Sequence, residues 1–171
     1  VKVVNLEELR LEAFKETLRR IGHSDDVLAM QLNELYLRHR FEDIELYEDV
    51  LPSLGYLGKT HALGLLSNGN SYPEKCGLDG VFKFVVFSQD YGVEKPDPRL
   101  FEIAVQKAGC TKEQFLHVGD SLDNDVAGAR TAGVRSVWLN RKGETRRPAF
   151  PVDFEISSLS ELPALLGVQE H

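Results

Sequence analysis

Between Phe115 and Gly128 the sequence reads FLHVGDSLDNDVAG: an apolar run stops at Gly119, and three carboxylates, Asp120, Asp123 and Asp125, follow within six residues. The run is short, so the pattern predicts a buried strand ending at the glycine and a helix starting among the acids. Burying unpaired carboxylates is costly unless a cation or donor groups compensate them. Two readings of this stretch stay open. In one, Asp and Asn are ordinary turn and cap residues of a surface loop; in the other they hold a metal.

With 171 residues the chain can bury one good core and carry a small appended subdomain. Its hydrophobic fraction of 42% and charged fraction of 27% are those of a soluble globular protein. A net charge of -7 argues against broad binding to nucleic acid or an anionic membrane, both of which need a basic face. The basic run RKGETRRP at 141–148 reads as a solvated loop. Cys76 and Cys110 have neither metal-ligand nor redox-pair spacing, which fits reduced thiols. With no apolar run of membrane-spanning length and no signal-peptide order at the start, the expected location is the cytoplasm.

Val1–Val4 opens like a strand and is cut short. Asn5, with Glu8 three residues on, offers a capping-box start, and Leu6, Leu9, Phe14, Leu18 and Ile21 recur as one helical face before Gly22. Ser24 is the expected cap of a second helix carrying Val27, Met30, Leu32, Leu35 and Leu37. Residues 5–45 thus read as a helical hairpin. Asp49 can cap a short helix to Leu57. Strands are expected at 61–66, 81–88, 115–118 and 134–139, with a short one at 154–156. Helices are expected at 98–108, 123–132 and 158–166. Apolar strands alternating with helices predict a parallel sheet covered on both faces. Right-handed crossovers then bring every strand's C-terminal end to one edge, where such sheets bind ligands.

Three polar loops converge on that edge. Ser67-Asn68-Gly69 supplies a hydroxyl, an amide and a glycine through which backbone N–H groups can approach an anion. Lys95 sits in the stiff loop Lys95-Pro96-Asp97-Pro98, and Asp120 and Asp125 follow the third core strand. Together these make an anion site beside a site for a hard cation such as magnesium.

In this order the motifs resemble those of the haloacid dehalogenase superfamily: LLSNGN its second motif, GVEKPDPRLF its third, HVGDSLDNDVAGARTAG its fourth. The resemblance covers roughly residues 46–140. It implies an α/β fold with a Rossmann-like parallel sheet, residues 1–4 and 46–171 forming the core and residues 5–45 resembling an all-helical cap. It further implies a phosphatase acting through an aspartyl-phosphate on a small phosphorylated metabolite, as a monomer or homodimer. Carried across, Ser67, Asn68 and Gly69 would hold the phosphoryl group and Lys95 would bridge it to the nucleophile. Asp120 would bind Mg2+. Asp125 would join the metal's ligands or stand behind them and orient Lys95, and Asp123 would point to solvent. Asn70, with Ser71 and Tyr72, would line the leaving-group pocket.

One departure is large. The family attacks phosphate with the first aspartate of an Asp-x-Asp after its first strand, and the only Asp-x-Asp here, Asp123-Asn124-Asp125, belongs to the fourth motif. Val1–Val4 resembles the strand that leads to the nucleophile, whereas LEELRLEAFKETLRRIG, from Leu6 on, resembles cap helix. The expectation is therefore an omitted segment between Val4 and Asn5. A phosphomutase, a metal-independent dehalogenase and a non-catalytic phosphate-binding protein are the alternatives. His117 reads as a packed core histidine; Arg38, His39 and Arg40 could meet an anionic substrate, but read first as a solvated helix end at a negative helix terminus.

Overall fold

The computed structural model describes residues 5–42, 44–145 and 148–168. Two long helices come first, α1 (Leu6–Arg20) and α2 (Asp26–Glu42). The Asn5 side chain caps α1, accepting from the Glu7 and Glu8 amides. In α2 the cap lies one residue beyond the expected Ser24: Asp25 Oδ1 accepts the Leu28 N–H at 2.9 Å. The helices pack on each other and bury Leu18 and Ala29. Leu9, Ile21, Val27, Met30, Leu35 and Tyr36 stay exposed. The expected apolar faces are thus only partly used, because among the described residues two helices share one interface and no third element covers the rest.

The α/β part follows as α3 (Val50–Leu57), β1 (Gly64–Ser67), β2 (Phe84–Phe87), α4 (Ser88–Tyr91), α5 (Pro98–Ala108), β3 (Leu116–Gly119), α6 (Ala127–Thr131), β4 (Arg135–Leu139), β5 (Phe154–Ile156) and α7 (Leu162–Leu165). Every pairing is parallel. Successive β4 side chains face opposite ways: Val137 packs with Leu57 and Leu162, Trp138 with Leu122 and Val126. Both faces are therefore covered, as the apolar strands require. α5 buries Leu100, Phe101, Ala104 and Val105, one stripe of a helix, against the inner strands. Asp97 caps it by accepting the Arg99 N–H, and Gly109 closes it at φ 66°.

The sheet is divided. β1 pairs with β2, and β3-β4-β5 form a second group. Between their facing edges lies a cavity of about 780 Å³, walled by Leu65 and Leu66 of β1, Leu116 and Val118 of β3, and Leu57 and Leu162 from the helices. Val1–Val4 and the Val4–Asn5 junction lie outside the described residues. No helix among the described residues is long and apolar enough to cross a membrane.

Three other expectations are corrected. The helix foreseen at 123–132 opens instead with a π-turn, Leu122–Val126, before α6. Asp49 precedes α3 but makes no cap bond; its carboxylate takes two bonds from Arg141, both at 2.9 Å, and further ones from the Ser158 hydroxyl and the Leu159 N–H. A bidentate guanidinium outcompetes a helix amide for a carboxylate. Arg141, at the head of the basic run, is thereby a clasp rather than a solvated charge.

Candidate active site

The C-terminal ends of β1 and β3 carry the polar loops, and Lys95 ties them together. Its Nζ donates to the Leu66 carbonyl at 3.2 Å and to Asp125 Oδ1 at 2.6 Å. The lysine side chain is 12% exposed and that of Asp125 5%. Asn68 fixes the lysine backbone at both ends: its Oδ1 accepts the Lys95 N–H at 2.7 Å and its Nδ2 donates to the Lys95 carbonyl at 2.9 Å. The amide foreseen as a phosphate contact thus works first as a clamp on the lysine loop. Gly128 lets that loop approach, since a Cβ there would lie 2.6 Å from the Phe101 ring and 3.0 Å from Pro96 Cα.

Asp125 is over-determined. Oδ1 is shared by Lys95 and by His117 Nε2 at 2.9 Å, and Oδ2 accepts the Ser121 N–H at 3.0 Å. The π-turn makes this geometry: both Asp125 and Val126 donate to the Ser121 carbonyl, which brings the carboxylate back over β3. There it lies against Gly119, where a Cβ would overlap its carboxyl carbon. Burial pushes the Asp125 carboxyl up, but the His117 hydrogen bond and the Lys95 charge outweigh it and hold the group well below the usual carboxylate range.

His117 is therefore buried, as expected, yet it is part of the charge network, edge-on to Phe101. A sequence signal existed: residues two apart in a strand share a face, so His117 points the same way as Gly119, under the acidic turn. Asp120 differs from Asp125. It is exposed beyond the end of β3, and Trp138 Nε1 holds its carbonyl at 3.1 Å. Asp123 is also exposed.

On the β1 side, Ser67 Oγ accepts the Gly69 N–H at 3.0 Å, which leaves the hydroxyl hydrogen to donate outward. Asn70 is 1% exposed. Arg40, expected in solvent, instead reaches down from α2, giving Nη1 to Asn70 Oδ1 at 2.9 Å and Nη2 to Ser71 Oγ at 3.1 Å. The six residues from Ser67 to Tyr72 thus meet a core lysine and a helical-segment arginine. The residues alone favour a solvated arginine, because a helix terminus rich in charge looks the same whether it meets water or a loop.

Residues 3–139 match the family model described as haloacid dehalogenase-like hydrolase. The chain belongs to that family. It is 35% identical over 159 residues to a phosphoserine phosphatase of Thermus thermophilus, covering 90% of this chain and 63% of that protein. It is 33% identical over 162 residues to human N-acylneuraminate-9-phosphatase, with 91% and 64% covered. The chain thus spans a little under two thirds of these relatives. Among solved structures, a 2-haloacid dehalogenase from Pseudomonas syringae superposes with a TM-score of 0.84 at 32% identity, covering 95% of this chain and 72% of that one. The parallel α/β fold is that of a haloacid dehalogenase-like hydrolase.

Proposed function

We infer that the protein is a magnesium-dependent phosphatase acting on a small phosphorylated metabolite. The observation that carries this reading is Lys95. Two of its three N–H groups go to Leu66 and Asp125, and a lysine held so firmly at the meeting of two strand ends is a fixed positive charge for phosphoryl oxygens. The Ser67 hydroxyl is the second donor. Asp125 holds Lys95 in place. The relatives named as phosphatases support the same reaction class.

The donor set suits magnesium in part. Asp120 is an exposed carboxylate beyond a strand end and fits a ligand of a hard cation. Asp125, with three protein donors already, fits better as the group that orients Lys95, although Oδ2 keeps a lone pair for a metal. Among the described residues no cluster of three or more His, Cys, Asp or Glu side chains could hold an ion, so the remaining ligands would be oxygens of substrate, backbone and water. Bound there, magnesium would neutralise phosphoryl charge.

The attacking carboxylate is not among these residues. We assign it to a segment omitted between Val4 and Asn5. A second reading, a non-catalytic phosphate-binding protein, is favoured by the sole Asp-x-Asp of the chain lying in the π-turn, where Asp125 is committed to Lys95 and His117. Hydrolysis of an aryl phosphate separates the two. The phosphatase reading expects turnover that stops with a chelator and in Asp120→Asn. Turnover indifferent to both would refute the metal assignment, and phosphate binding without turnover would establish the second reading.

A further inference from the structure

The Arg40 cluster has the makings of a second anion site. Arg40 leaves α2 half-buried, and among the described residues its two acceptors, Asn70 Oδ1 and Ser71 Oγ, are both neutral. A guanidinium carries five N–H donors, so three are unaccounted for by these bonds. Asn70 adds a second, independent observation. Its side chain is buried, and Nδ2 has no hydrogen-bond partner among the described residues. Turning the amide over does not help, because Arg40 must find the oxygen, so the orphan is necessarily a donor. A buried donor left unmade costs free energy. Arg40 and Asn70 thus present unmatched donors of the kind an anionic oxygen accepts.

The position says which anion. Asn70 follows Ser67-Asn68-Gly69 directly, so the cluster lies next to the phosphoryl site and not within it. Lys95 approaches from the core, whereas Arg40 approaches from the helical segment. A phosphate ester held by Ser67 and Lys95 has its leaving group as the part free to reach a neighbouring cation. We propose that Arg40 and Asn70 Nδ2 form a subsite for a second anionic group on the leaving group, so that the substrate class is phosphate monoesters that also carry a carboxylate. The planar fork of arginine matches a carboxylate in two-point contact, which a lysine cannot do. This inference rests on the reading of Ser67 and Lys95 as a phosphate site.

The test uses a matched pair of non-hydrolysable ligands, 3-phosphonopropionate and propylphosphonate, which differ in whether the far end bears a carboxylate. Calorimetry on the whole chain with magnesium gives the ratio of their affinities. The expected result is at least a roughly tenfold preference for 3-phosphonopropionate, the scale of one charge-assisted hydrogen bond. That preference should collapse to within about twofold in Arg40→Met. Lys95→Ala should weaken both ligands together. Equal binding of the two by the intact chain, or a preference that survives Arg40→Met, would overturn the subsite while leaving the phosphate site standing. Failure of the intact chain to bind either ligand would overturn the phosphate reading itself, and the subsite with it. Should circular dichroism show that Arg40→Met does not fold, Arg40→Lys replaces it: the preference must fall severalfold, and an undiminished preference overturns the proposal.

Discussion

Lys95 and Arg40 approach neighbouring parts of the Ser67–Tyr72 loop from opposite parts of the molecule, and they are held in different ways. Lys95 is charge-paired, buried and clamped along its backbone; its partner Asp125 has three donors of its own. Arg40 rests on two neutral acceptors, one of which belongs to an amide with an orphan donor. The core side is thus complete before any ligand arrives, and the helical side is not. A site that must bind one invariant group and many variable ones can be built in this way: fixed charge where the phosphoryl oxygens go, spare donors where the rest of the substrate lies.

The largest effect is expected where the contrast is greatest. Asp125→Ala leaves a buried Lys95 without its counter-charge and should cost about 3–5 kcal/mol, read as a drop in denaturation midpoint. Gly119→Ala should approach that loss without replacing any charged residue, because its methyl would displace the Asp125 carboxylate. If Gly119→Ala is as stable as the parent, the packing of Asp125 over β3 is not as described. Arg40→Met should be milder, at about 1–3 kcal/mol, the cost of leaving the buried Asn70 oxygen unsatisfied. A loss equal to that of Asp125→Ala would erase the distinction between the two sides.

The smallest effect concerns a paired carboxylate away from the site. The Arg141 bonds, with help from Ser158 and Leu159, hold Asp49 down to about 2 from 3.8. A carboxyl lowered on folding stabilises the protein above its unfolded value and loses that contribution as pH falls through its folded value. The clasp should therefore contribute on the order of 1–2 kcal/mol above about pH 4 and lose it by about pH 2. Asp49→Asn should flatten that part of the acid unfolding curve. An unchanged curve would show that the clasp does not form.

Much of this was legible in the residues. The alternation of apolar runs with helices gave the parallel α/β order, and Ser67, Lys95 and the acids after Gly119 pointed to one edge. What the pattern could not carry was partner choice. Asp49 looks like a helix cap until Arg141, 92 residues away, is found beside it. Arg40 looks like a solvated helix end until Asn70 is. Asn68 reads as an anion contact and turns out to hold the lysine backbone. The π-turn escaped because the residues that form it are also good helix-starting residues, and only the closeness of Asp125 to Gly119 reveals the extra turn. The divided sheet was beyond reach as well, since periodicity marks strands but not which edges meet.

The central claim is that Lys95 is the fixed charge of a phosphoryl site. Calorimetric titration of the chain and of Lys95→Ala with inorganic phosphate, in the presence of magnesium, tests it most directly. The account predicts binding by the parent that weakens roughly tenfold or more without the lysine, in a variant whose circular dichroism is unchanged. Equal affinity in the two proteins would remove Lys95 from the site and contradict the reading built on it.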